Sequence, residues 1–119
     1  MIRKLQKGDP VSYDRLFIAE DESFIATLPI GYGDGYTKQL TNKTNCIING
    51  KLYPIVGAIC MDECMVNLGK DKYEIGTKVT LIGKNQDLSI SAKDLAEKIN
   101  TIPYEITTAI SSRVERIYL

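Results

Sequence analysis

The stretch NCIINGKLY, residues 45–53, sets an Asn-Gly pair between two runs of strand-forming residues. Asn49 and Gly50 are the preferred occupants of a two-residue type I′ turn, whose central positions both need positive φ. The stretch therefore predicts a β-hairpin, and its neighbours extend the pattern. SFIATL (23–28) alternates and is rich in β-formers. PIVGAIC (54–60) continues from the hairpin, with Pro54 requiring a strand start, an edge or a bulge. ECMVNL (63–68) and TKVTLIG (77–83) predict further strands, the second entered through Gly76 and left through Gly83. The final SRVERIYL (112–119) alternates and predicts a last strand. Short strands with regular turn signals argue for a mainly β fold with minor α: an antiparallel Greek-key β-barrel or sandwich.

One helix interrupts this pattern. Ser91 begins SAKDLAEKIN (91–100), with Asp94 three residues on as in a capping box. Ala92, Leu95, Ala96 and Ile99 fall on one face at helical spacing, and Asn100 suits the left-handed residue that ends a helix. A second short helix is predicted from Pro103 to about residue 110, since proline is favoured at a first helical position. Ile102, Ile106 and Ile110 would then share a face.

The 119 residues are expected to form one domain, and a chain this long buries roughly two thirds of its unfolded surface. Lysine plus arginine number 15 against 15 acidic residues, with no basic stripe, so nucleic acid and anionic membranes are not expected partners. Apolar runs such as IVGAIC are far too short to span a bilayer. With a polar start, MIRKLQKGD, and no signal peptide, the expected location is cytoplasmic. Cys46, Cys60 and Cys64 are predicted to be reduced thiols. Cys60 and Cys64 lie four apart, but the chain has no histidine or fourth cysteine to complete a zinc site, and no metal is expected.

With no histidine available, proton chemistry must fall to other groups. GYGDG (31–35) lacks the Gly-Lys-Ser/Thr ending of a phosphate loop and is not followed by a helix pattern. Asp62, beside Met61 in GAICMDECMV (57–66), is from spacing alone the exposed corner of a hairpin; the alternative is a strand end whose N–H groups face a ligand. Of the seven tyrosines, Tyr53, Tyr73 and Tyr118 suit structural roles. Tyr13, Tyr32, Tyr36 and Tyr104 sit near turns or element ends, where functional side chains concentrate. A tyrosine takes a proton near neutrality only when a neighbouring cation lowers its pKa from about 10. Arg15 is close to Tyr13 in sequence.

The ordered set VSYDRLF, LPIGYGDGY, INGKLYPIVGAICMDECMV, GTKVTLIG and TIPYEITTAISSRVERIYL resembles the C-terminal β domain of bacterial alanine racemases, over nearly the whole chain. The resemblance implies a pyridoxal phosphate enzyme that interconverts L- and D-alanine for the cell wall and peptidoglycan. Its N-terminal α/β barrel, which carries the lysine that binds the cofactor, is absent from this chain. The polar start places the chain's beginning just before the β domain. In the homodimeric parent, this domain would reach the barrel mouth of the other subunit. Tyr13 matches the catalytic tyrosine that acts on one face of the substrate Cα. Tyr104 matches a cofactor-phosphate contact that narrows the substrate passage, and Tyr32 a second tyrosine lining the entrance. Met61 and Asp62 match the pair at the substrate carboxylate edge, where the methionine N–H is a donor; this favours the strand-end reading. Asp14, Gly33, Pro103 and Glu115 depart from the residues common in the family. The isolated domain is expected to be inactive and not to hold the cofactor alone. Two alternatives remain: a serine racemase domain, and a non-catalytic β-barrel binding or dimerisation module. An aromatic side chain at Tyr104 favours alanine.

Overall fold

Asn49 and Gly50 take φ of 48° and 76°, the left-handed pair that a type I′ turn demands. The computed structural model describes residues 1–11 and 17–119. Its strands are β1 (Ile2–Leu5), β2 (Pro10–Val11), β3 (Phe17–Ile18), β4 (Ser23–Leu28), β5 (Asn45–Ile48), β6 (Lys51–Val56), β7 (Cys64–Gly69), β8 (Gly83–Asn85) and β9 (Leu88–Ile90). Helices α1 (Ala92–Lys98) and α2 (Pro103–Ala109) follow.

The main sheet runs β1-β4-β7-β6-β5, each pair antiparallel, while β2 and β3 pair as a separate two-stranded sheet and β8-β9 form a hairpin. Three consecutive strands, β5, β6 and β7, lie side by side, and β4 comes to rest beside β7. This is the expected Greek key. Among the described residues the sheet stays open and does not close into a barrel.

Pro54 marks a change of partner within β6. Lys51 to Pro54 pair with β5, whereas Ile55 and Val56 pair with Val66 and Met65 of β7. Proline has no N–H for a ladder, so it fits near the point where β7 joins as a neighbour, while the Ile55 N–H still donates on the β5 side to the Thr44 carbonyl at 3.0 Å.

Apolar side chains cover both sheet faces. The larger core gathers Leu28, Leu40, Ile47, Ile55, Ile59, Val66 and Leu68 under Leu95 and Ile106 of the two helices. A smaller one holds Leu5, Val11, Ala19, Ile25 and Val56. Helix α1 is capped as its sequence predicts: the Asp94 N–H donates to Ser91 Oγ (3.0 Å) and the Ser91 N–H to Asp94 Oδ2 (2.8 Å). Asn100 takes φ 54°, and the Thr101 N–H donates to the Ala96 carbonyl at 3.0 Å, closing the helix C-terminus.

Two predicted strands do not form. In TKVTLIG only Thr80 pairs, exchanging two 2.9 Å backbone bonds with Ile47. The free edge of β5 takes up only that one residue, because Gly83 at φ 129° turns the chain directly into the β8-β9 hairpin. The C-terminal segment curls instead of extending. Its Arg116 guanidinium donates to the carbonyls of Ile110, Ser111 and Val114 at 3.1, 2.6 and 2.5 Å, engaging acceptors that a ladder would need. Tyr118 is accordingly exposed, and Tyr36 is a core residue whose phenol is pushed up in pKa by burial.

A polar cluster ties the hairpin to the end of β7. Asp71 Oδ2 accepts from Lys51 Nζ and from the Tyr53 hydroxyl, both at 2.6 Å, and the Tyr73 and Tyr53 hydroxyls lie 2.6 Å apart. Because the Tyr53 proton goes to Asp71, Tyr73 is the donor to Tyr53. The Lys51 hydrogen bond, followed by that from Tyr53, holds the Asp71 carboxyl below its ordinary 3.8. A depressed folded-state pKa means stability that is complete above 3.8 and is lost as pH falls further. Comparing urea unfolding at about pH 6 and about pH 3, we expect a smaller acid loss in Asp71→Asn than in the parent chain. An equal loss would remove Asp71 from the acid response.

Candidate functional site

Three segments meet at one rim: the loop 31–35, the corner 60–62 between β6 and β7, and the chain leaving α2 at 109–113. Main-chain bonds join the first two, with the Tyr32 N–H donating to the Cys60 carbonyl (2.9 Å) and the Gly33 N–H to the Met61 carbonyl (2.8 Å). Only glycine allows this approach at position 31, where a Cβ would lie 2.0 Å from the Cys60 carbonyl oxygen and 2.7 Å from the Met61 carbonyl carbon. The third segment closes on the same loop. The Ser111 N–H donates to the Asp34 carbonyl (2.9 Å), and the Ser111 hydroxyl to the Gly33 carbonyl (3.1 Å).

Side chains complete the join. Asp34 accepts the Gly31 N–H at 3.0 Å through Oδ2, while its Oδ1 lies 3.3 Å from Arg113 Nε. Arg113 Nη2 donates to Asp62 Oδ1 at 2.6 Å. The hydrogen bond to Asp62 and then the charge of Asp34 lift the guanidinium pKa further, so it is a permanent cation.

The rim brings together Tyr32, Met61 and Asp62, all exposed, with Tyr32 at 47% and Met61 at 53%. Met61 and Asp62 form the turn between two strands, so the corner and strand-end readings describe one place. Among the described residues their amide N–H groups have no acceptor. Tyr104 is 75% exposed in the first turn of α2, the helix whose far end leads to the Ser111 contacts. Tyr13 lies outside the described residues. Arg113 and Asp34 are site residues that sequence reasoning missed, although both stand inside quoted motifs, GYGDG and SRVER.

The arrangement is a surface, not a pocket. A mostly apolar cavity of about 630 Å³ touches the rim only at Asp62 and Glu63, and neither Tyr32 nor Tyr104 lines it. The surface offers phenols, a thioether and free amide donors beside an ion pair. Such groups can bind and orient a carboxylate-bearing substrate brought by another body.

Two of the three cysteines are core thiols, while Cys60 at the corner is partly exposed. Cys46 and Cys64 are buried, and burial pushes both thiols up to about 12. Among the described residues, no group of three or more His, Cys, Asp or Glu side chains could hold a metal ion, and no helix is long and apolar enough to cross a membrane.

Comparisons with known proteins agree with this architecture. The family profile "Alanine racemase, C-terminal domain" matches residues 1–118. The alanine racemase of Clostridium novyi is 48% identical over 120 residues, covering 99% of this chain and 31% of that protein. Among solved structures, the alanine racemase of Bacillus anthracis with bound L-Ala-P superposes with a TM-score of 0.91 at 45% identity, covering 96% of this chain and 29% of that one. The alanine racemase of Bartonella henselae with covalently bound pyridoxal phosphate superposes with a TM-score of 0.90 at 37% identity, over 99% of this chain and 32% of that one. The chain thus spans about a third of the length of these relatives. On the strength of the profile, the identities and the superpositions, the chain belongs to the family of alanine racemase C-terminal domains.

Proposed function

We propose that this domain supplies one wall of an alanine racemase active site whose floor and cofactor belong to a barrel in another polypeptide segment, within a homodimer acting in the cytoplasm. One observation carries the reading: Tyr32, Met61 and Asp62 are held rigidly together on an exposed rim, with amide donors that nothing in the described chain engages. A wall built to face a second body has this form; a self-contained pocket would enclose its own donors.

Each residue then has a task. Racemisation removes the proton from the substrate Cα on one face and returns one on the other. The Tyr13 phenol carries that proton on its face, and a barrel lysine works opposite. Met61 presents its N–H to the substrate carboxylate, with Asp62 neutralised beside it by Arg113. Tyr32 narrows the approach. Tyr104 fits pyridoxal phosphate as a single hydroxyl contact, since its side chain is largely exposed. When bound, the cofactor supplies a conjugated ring that delocalises the negative charge left at Cα.

The test is reconstitution. The 119 residues alone, given pyridoxal phosphate and L-alanine, should produce no D-alanine, whereas mixing with a family barrel half should produce it. Racemisation by the domain alone would overturn the shared-site reading, as would a barrel half that gains nothing from the domain.

A further inference from the structure

We propose that Arg113 is a positioning residue that fixes the loop bearing Tyr32 to the corner bearing Met61, and that it does so from space left open by Gly33. The loop and corner belong to different connections of the Greek key and share no strand. Two main-chain bonds join them, and Arg113 is the side chain that reaches both, through Asp34 on the loop and Asp62 on the corner. Asp34 is itself only 13% exposed in its side chain and grips the Gly31 N–H, so the ion pair extends into the main chain of the loop. The resulting chain of contacts runs from the Gly31 N–H through Asp34, Arg113 and Asp62 to the free amides at the corner.

Gly33 makes room for the guanidinium. A Cβ at this position would lie 2.1 Å from Arg113 Nη1 and 3.2 Å from its Cζ, with the Met61 carbonyl oxygen at 3.0 Å the main-chain atom nearest to it. Gly33 has no left-handed φ, so alanine is conformationally acceptable there. Its methyl group would instead push the guanidinium away from one or both carboxylates. The choice of residue at 33 thus decides whether Arg113 can span the loop and the corner. The link to catalysis rests on the racemase reading; the clamp itself does not.

Amide hydrogen exchange on the 119-residue chain tests the clamp directly. In Arg113→Ala the Gly31 and Gly33 amides should exchange about tenfold faster or more, while core strand amides such as those of Ile47 and Val66 stay within about twofold. Gly33→Ala should loosen the same amides, and combining it with Arg113→Ala should add little, because both remove one contact. Arg113→Lys, which keeps the charge but loses the fork, should recover part of the protection. Reconstituted with a barrel half, Arg113→Ala should raise KM for alanine about tenfold with kcat changed much less, as expected when binding shared by substrate and transition state is lost. Unchanged Gly31 and Gly33 exchange would overturn the proposal, and so would loosening spread evenly over all strands. Full additivity of the two substitutions would overturn the role of Gly33. A parent mixture with no activity would reject the racemase reading and leave the exchange pattern to decide the clamp.

Discussion

Tyr13→Phe in the reconstituted racemase is expected to lower alanine interconversion about 10²–10⁴-fold in both directions, the range that a positioned proton carrier contributes. The substitution keeps the ring and removes only the hydroxyl, so packing is little disturbed. Replacements for the lost proton carrier are scarce. The chain has no histidine, Tyr36 is buried in the core, and the Tyr53 hydroxyl is committed to Asp71. A base on one face serves one enantiomer. In deuterated water, therefore, α-proton exchange should stop for the enantiomer that presents its proton to Tyr13 and continue for the other. Wild-type interconversion by Tyr13→Phe would take this phenol out of the chemistry. Loss of exchange for both enantiomers, with intact folding, would give it a binding role instead.

Gly31→Ala is expected to destabilise the domain by about 1–3 kcal/mol, the usual cost of forcing an extra methyl group into filled space, and to displace the rim. The atoms in the way are the main-chain carbonyls of Cys60 and Met61, which cannot turn aside as a side chain can. Gly31 has an extended backbone with φ −156°, so the effect is steric and owes nothing to backbone conformation. Gly33→Ala is the natural comparison, since its nearest obstacle is the end of a flexible arginine and the Met61 carbonyl oxygen stands off at 3.0 Å. Urea unfolding of the two variants should give clearly unequal losses, with Gly31→Ala the larger. Equal or negligible losses would mean that the loop does not approach the corner so closely.

The hairpin and both helices could be read from sequence because their signals are local: Asn49-Gly50 for the turn, Ser91 and Asp94 for the cap, Pro103 for the start of α2. Strand β1 offers only IRKL, four residues that pair because β4 presents an open edge, a tertiary fact. The β8-β9 hairpin was hidden because its turn places Gln86, not glycine or asparagine, at φ 54°. Its tip is held from outside, where Asn85 Oδ1 accepts the Gly50 N–H at 3.1 Å. TKVTLIG and SRVERIYL alternate as strands do, yet Gly83 turns the first away after a single bridge to β5, and Arg116 takes up main-chain acceptors of the second. At the site, the resemblance supplied Tyr32, Met61 and Asp62. It gave no sign of Arg113, whose importance comes from contacts with positions far away in the chain. Tyr36 shows the converse error: a tyrosine beside a turn can still point inward.

The crossing of β4 to β7 also orders how the chain acquires its shape. Strands β5 and β6 are neighbours in sequence and close on themselves quickly, whereas β4 must wait until the whole intervening stretch is in place, because distant pairings carry the larger loop-closure cost. The corner at Met61 and the loop at Tyr32 lie on either side of that late pairing. The rim therefore needs that pairing and then the docking of residues 109–113, so a nascent chain that ends before Arg113 holds a loop and a corner without their clamp.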